Sequence, residues 1–241
     1  MVNQHYIRTT WPDATALATA VAQLIVIESN KAVKSHGYFT LALSGGSTPL
    51  LLYKLLAALP FVNNIPWKKT VIAFSDERFV TPTSSDSNYK MAYDSLLSKV
   101  PLPKKNILQV TTVKTTPEAS AKMYQTALKH YISKTKPFDM VLLGIGEDGH
   151  TASVFPGSPL ISDKKNWIKD AWHEASGMHR ISFTLPFITK ANNVVVLVAG
   201  KNKAEVVKTL FAKKKSGLPA ESIAASQNLF WYFDEGAASL I

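Results

Sequence analysis

The chain of 241 residues contains no cysteine. That absence removes disulfides, thiolate nucleophiles and cysteine-ligated metals together, and it fits a reducing cytoplasm. The GxSxG turn that exposes a serine nucleophile is also missing. HExxH is not present either, because His173-Glu174 is followed by Gly177 where a second histidine would stand. The other histidines, His5, His36, His130 and His179, show no ligand spacing, so no metal and no cofactor are expected. The opening MVNQHYIRTTWPDATAL has no charged-then-apolar signal pattern. No apolar run reads as approaching the ~20 residues that span a bilayer, so a cytoplasmic protein off the membrane is expected.

Acidic residues are the scarcer charge, 17 Asp+Glu against 27 Lys+Arg, for a net +10. Such a balance suits nucleic acid or an anionic small molecule. The lysines are nevertheless scattered in short runs, Lys104-Lys105, Lys164-Lys165 and Lys213-Lys214-Lys215, with no arginine-rich segment interleaved with aromatics. They read as a solvated surface, and no nucleic-acid partner is expected.

What is present is an alternation of apolar runs and helical patterns. Asp13 caps a helix to about His36, with Ala18, Val21, Ala22, Ile25 and Ser29 on one face and Gly37 at its end. Strands are predicted at Tyr38 to Leu43, Thr70 to Ser75, Phe138 to Leu143, Asn193 to Ala199 and Leu229 to Phe233, with a short one at Ile107 to Val110. Arg180 to Leu185 alternates like a half-exposed strand. Helices are predicted from Pro49 to Leu59 with Thr48 as cap, from the TPTSSDSN loop to about Val100, over Pro117 to Lys134, from Gly200 to about Ala212, and at the C-terminus. This order argues for one α/β domain over residues 1–241 around a mostly parallel sheet, with an antiparallel extension in the less regular 155–190 region.

Three segments carry chemistry. Ser44-Gly45-Gly46-Ser47-Thr48 joins a strand to a helix, and its free amides and hydroxyls suit an anion, most simply phosphate. The competing reading is an ordinary strand-to-helix turn with a Ser/Thr cap. Asp76-Glu77-Arg78 follows the next buried strand at the same sheet edge. It is either a solvated loop or a source of an acid in Asp76 and an anion partner in Arg78. The third segment, FDMVLLGIGEDGHTASVFPG at 138–157, delivers Asp148 and His150 just past a strand end.

Gly144, Gly146 and Gly149 formally satisfy GxGxxG, but Pro156, Gly157 and Pro159 leave no room for the helix a dinucleotide needs. His150 is the candidate general base, because an imidazole of ordinary pKa about 6.5 moves protons near neutrality. Asp148 or Glu147 would tune it. As a lone histidine it also fits a hydrogen-bonded structural residue. Arg180 at a strand start and Lys203 in a first helical turn add cations, which an intervening anion would explain.

SGGSTP at 44–49, FSDERFV with SN at 74–88, LLGIGEDGHTASVFPG at 142–157, RISFTLP at 180–186 and VAGKNKA at 198–204 appear in one order and spacing. Together they resemble the glucosamine-6-phosphate isomerase/6-phosphogluconolactonase family, on its lactonase side, over about Ala16 to Ala238. The resemblance implies a Rossmann-like three-layer fold with a small additional β element. It further implies cofactor-free hydrolysis of 6-phospho-D-glucono-1,5-lactone, a phosphosugar ester of the oxidative pentose phosphate pathway, by a monomer or small homo-oligomer.

Carried over residue by residue, Ser44, Gly45, Gly46, Ser47 and Thr48 match the phosphate-proximal loop. Asp76 and Arg78 match an acidic and basic active-site pair, and His150 the general base. Arg180 and Lys203 match cations near the phosphate. HEASGMH before Arg180 departs from the prolines usual there. The alternative, a glucosamine-6-phosphate deaminase, is disfavoured by Arg78, where those enzymes carry tyrosine, and by TASVFPG after His150.

Overall fold

The computed structural model describes residues 6–133, 135–214 and 216–241. His5, Lys134 and Lys215, which figure in the sequence patterns, lie outside them.

Strand β1 (Tyr6–Trp11) leads into helix α1 (Ala14–His36). Asp13 caps that helix by accepting from the amides of Thr15 and Ala16, each at 2.8 Å. Gly37 closes it at φ 94°, a left-handed conformation that glycine adopts without strain. By length and composition α1 does pass the test for a bilayer span, which corrects the reading above. In the fold its Leu17, Val21 and Ile25 stripe is buried in the core.

The chain continues through β2 (Phe39–Leu43), α2 (Ser47–Leu56), the single turn α3 (Phe61–Asn64), β3 (Thr70–Phe74) and β4 (Asp76–Arg78). Next come α4 (Asn88–Ala92), α5 (Pro117–Leu128) and β5 (Met140–Leu143). The antiparallel β6 (Ile168–His173) and β7 (Met178–Phe183) follow, then the turn α6 (Leu185–Ile188), β8 (Asn193–Val198), α7 (Ala204–Leu210) and β9 (Asn228–Asp234).

Six strands form a parallel sheet in the order β1-β9-β8-β5-β2-β3, and three form an antiparallel sheet, β4-β7-β6. Alternate side chains of the central strands enter different layers, as a pleat of period two requires. Leu41, Leu43, Met140, Leu142, Val195 and Leu197 pack with α1 and α2. Ala42, Val141, Leu143, Val194 and Val196 pack with α5, Phe183 and Phe187 on the other face. Covering both faces explains why these strands read as unbroken apolar runs.

The two sheets meet at Ser75. Its amide donates to Leu43 O at 2.7 Å, and its carbonyl accepts from Phe183 N at 2.8 Å.

Several expectations are corrected. Helix α2 starts at Ser47, with Gly46 at φ 107° in the cap position, so Thr48 is not the cap. The helix expected to reach Val100 is helical over Asn88–Ala92 and then widens into a π turn at Tyr93–Leu97. Ile107 makes only an isolated bridge to Ile72. The residues after Asp234 form turns and no helix. Around Arg180 the strand does not alternate between buried and exposed. It is buried throughout from Arg180 to Phe183, because Ile181 and Phe183 face the core, Arg180 lines a polar cavity, and the Ser182 hydroxyl is covered by the Ser153 amide that donates to it.

Candidate active site

Strands β2 and β5 are neighbours from which the chain continues to opposite sides of the sheet, β2 through α2 to β3 and β5 by way of β6 and β7 to β8. Open α/β sheets bind ligands at such a switch point, beyond the carboxyl ends of the strands. A cavity of about 310 Å³ opens there, walled by Ser44–Gly46, Asp76, Arg78, Gly144–Gly146, His150, Arg180 and Lys203.

The loop after β2 is fixed from below. The buried Tyr53 hydroxyl accepts from Ser44 N at 2.9 Å and donates to Ser44 O at 2.7 Å. Gly45 packs so closely on Asn88 that a Cβ there would lie 2.2 Å from Asn88 Oδ1. Asn88 in turn donates to Asp76 O at 2.9 Å. The Asp76 carboxylate also accepts from Ser153 Oγ at 2.7 Å, which ties the loop after β5 to β4.

Glu77 points away from this cavity's walls and is buried. It accepts from the amides of Arg78 (2.8 Å), Asn88 (2.7 Å) and Tyr89 (2.7 Å) and from Ser87 Oγ (3.2 Å). Burial pushes its carboxyl up, and the amide donors offset only part of that rise. Glu77 is thus a staple between β4 and the start of α4, not part of a solvated loop.

On the other wall, His150 Nδ1 lies 2.6 Å from Asp148 Oδ1, which also accepts from the His150 amide at 3.2 Å. Burial pushes the Asp148 carboxyl up. The His150 charge and its two hydrogen bonds outweigh that, and the carboxyl sits below its usual range. An ionised Asp148 can only accept, so Nδ1 carries the proton and the neutral ring keeps its lone pair on Nε2. Gly146 makes room for the pair: a Cβ there would fall 2.1 Å from His150 Nδ1 and 2.5 Å from Asp148 Oδ1. Thr151 Oγ1 donates to Gly144 O at 2.9 Å and holds the base of the loop.

Arg78 and Arg180 are register partners across β4 and β7. Arg78 donates to Asp86 O at 2.7 Å and Arg180 to Ser176 Oγ at 3.1 Å. Neither forms an ion pair among the described residues, and each leaves a buried Nε without a partner. Burial, followed by the Arg78 charge, lowers the pKa of Arg180. A buried guanidinium with a second, half-buried one in register is unfavourable unless an anion joins them.

The family model for glucosamine-6-phosphate isomerases/6-phosphogluconolactonase matches residues 12–231. The chain belongs to this family. The chloroplastic 6-phosphogluconolactonase 3 of Arabidopsis thaliana is 39% identical over 224 residues, which cover 88% of this chain and 68% of that protein. The 6-phosphogluconolactonase of Nostoc sp. PCC 7120 is 37% identical over 234 residues, 95% of each chain. Among solved structures, the 6-phosphogluconolactonase of Trypanosoma brucei superposes with a TM-score of 0.88 at 26% identity, covering 98% of this chain and 99% of that one.

Within this family fold, the cavity gathers Ser44, Gly45, Gly46, Asp76, Arg78, His150, Arg180 and Lys203. It does not take in Ser47 or Thr48, which occupy the first turn of α2. Asp148 reaches it only through His150. Asn88, Ser153, Phe155 and His173 also line the cavity and were not among the candidates. Asn88 carried a signal in the SN that closes the FSDERFV segment. His173 opens the HEASGMH departure before Arg180, but β6 lacks the clean alternation that would have turned it into the cavity.

Proposed function

We propose that this chain hydrolyses 6-phospho-D-glucono-1,5-lactone to 6-phospho-D-gluconate, the lactone-opening step of the oxidative pentose phosphate pathway. The observation that carries the reading is a histidine with Nδ1 held by a carboxylate, facing one cavity with two guanidiniums that no carboxylate pairs. The first supplies a base and the second demands an anion, and a phosphorylated ester needs both.

In this mechanism the substrate phosphate sits against Arg78 and Arg180, with Lys203 and the amides of Gly45 and Gly46 completing its surroundings. His150 Nε2 takes a proton from water as the water oxygen bonds to the lactone carbonyl carbon. Asp148 stabilises the resulting imidazolium. Arg78, or amides of the Gly144–Gly149 loop other than those of Gly146 and Gly149, which donate within the loop, stabilises the tetrahedral oxyanion. The ring C–O bond then breaks, its oxygen takes the proton from His150, and the carboxylic acid product ionises to the carboxylate. Asp76 is held by Ser153 and Asn88 to orient a substrate hydroxyl. The cysteine-free sequence supports action in a reducing cytoplasm.

The test is lactone hydrolysis, corrected for the spontaneous rate, beside ammonia release from glucosamine 6-phosphate. Catalysed lactone opening without ammonia is expected, and ammonia release without lactone opening would replace this reading with the deaminase one.

A further inference from the structure

His173 has no part in the reaction as written, although it lines the same cavity at the end of β6. Its Nδ1 lies 2.6 Å from Ser176 Oγ. Arg180 Nη2 donates to that same oxygen at 3.1 Å and sits 3.5 Å from Nδ1. Guanidinium nitrogens only donate, and Arg180 Nη2 faces both Ser176 Oγ and Nδ1, so the arrangement in which no two donors oppose each other has Ser176 Oγ accepting from Arg180 and giving its own hydrogen to Nδ1. Nδ1 is therefore the acceptor, and the neutral ring carries its hydrogen on Nε2. Burial, then the Arg180 and His150 charges, hold the His173 imidazolium below its ordinary range, so the ring is neutral near pH 7.

The ring is also clamped face-on. It stacks on Phe155 at 4.4 Å between centroids and 16° between planes, and Phe155 in turn lies 4.9 Å from the His150 ring. Nε2 meets no protein acceptor among the described residues. An uncharged donor on a ring that shares the cavity with both arginines, its Nδ1 edge against Arg180, is well matched to a phosphate, whose terminal oxygens offer more lone pairs than two guanidiniums can fill. It adds a hydrogen bond without adding a third positive charge.

We propose that His173 Nε2–H is a specificity-determining donor to the substrate phosphate, acting beside Arg78 and Arg180 to favour the phosphorylated lactone over the unphosphorylated one. The inference rests on the lactonase reading above.

Steady-state kinetics of the full chain on 6-phosphogluconolactone and on unphosphorylated gluconolactone test it with two variants. His173→Phe keeps the ring and its stack and deletes the donor, whereas His173→Gln keeps a donor. His173→Phe should raise KM for the phosphorylated lactone about 10- to 100-fold, the worth of a hydrogen bond to a charged group, with kcat within about twofold. Its kcat/KM on the unphosphorylated lactone should equal that of the unsubstituted chain, and His173→Gln should recover most of the lost KM. A normal KM for His173→Phe, or an equal loss on both lactones, would overturn the assignment. A glutamine variant as impaired as the phenylalanine one would also overturn it, by tracing the effect to packing. If the unsubstituted chain hydrolyses neither lactone, the failure belongs to the lactonase reading.

Discussion

Arg78 and Arg180 stand directly opposite each other on antiparallel strands, and neither forms an ion pair with a carboxylate among the described residues. Like charges placed so are destabilising by themselves. A phosphorylated ligand should therefore stabilise the fold by relieving them, since any ligand that binds only the native state raises its stability. 6-Phosphogluconate should raise the melting temperature of the unsubstituted chain. Arg180→Ala should lose most of that shift and Lys203→Ala part of it, and both should raise KM more than they lower kcat. Equal shifts in all three proteins would move the phosphate elsewhere.

His150→Ala should lower kcat by roughly 10²- to 10⁴-fold, the usual worth of general-base catalysis. Asp148→Asn tests the orientation of the base separately. An amide can donate to Nδ1 and turn the lone pair away from the cavity, a tautomer error that costs about 10⁴-fold in a buried serine-protease triad. Asp148 is half exposed, so a smaller loss, roughly 10²-fold, is expected here, with KM little changed. Full turnover by either variant removes that residue from the mechanism.

Gly146→Ala should behave like damage to the base without touching it chemically. The added methyl group needs space that His150 Nδ1 and Asp148 Oδ1 occupy, and about 1 Å of misplacement is worth roughly 10²-fold. Circular dichroism should show an intact fold while kcat falls. A variant with ordinary kcat would show that the pair relocates freely.

The lowered pKa of His173 has a sign that melting curves can read. The unfolded chain takes up this proton at a higher pH than the fold does. The stabilising contribution is therefore complete above about pH 6.5 and is lost as the pH falls through the lower folded value. The unsubstituted chain should lose melting temperature relative to His173→Phe as the buffer is taken from pH 7.5 toward pH 5. Parallel curves would place His173 in an unperturbed setting.

Strands buried on both faces were legible as sequence. Phe39–Leu43, Thr70–Phe74, Met140–Leu143 and Asn193–Val198 are mostly apolar, because side chains between two layers are buried and the few polar ones, Thr40, Thr70 and Asn193, are hydrogen-bonded. Tyr6–Trp11 and Ile168–His173 escaped notice for the opposite reason. Each lies at a sheet edge with mixed exposure, and YIRTTW and IKDAWH follow no single period. In the cavity, residues at strand ends could be found, as Ser44, Asp76 and His150 were. Glu77 could not, because all its donors but the adjacent Arg78 amide come from positions 87–89, and a sequence does not announce that the chain returns to the same carboxylate eleven positions on.

Ser75 bonds to β2 through its amide and to β7 through its carbonyl, within one extended run that belongs to both sheets. The base is carried by the loop after β5 of the parallel sheet, whereas both arginines are carried by the antiparallel one. Those two bonds rivet the sheets together at Ser75. On the proposed mechanism, the spacing between the phosphate and the proton acceptor is then set by this junction rather than by either loop alone.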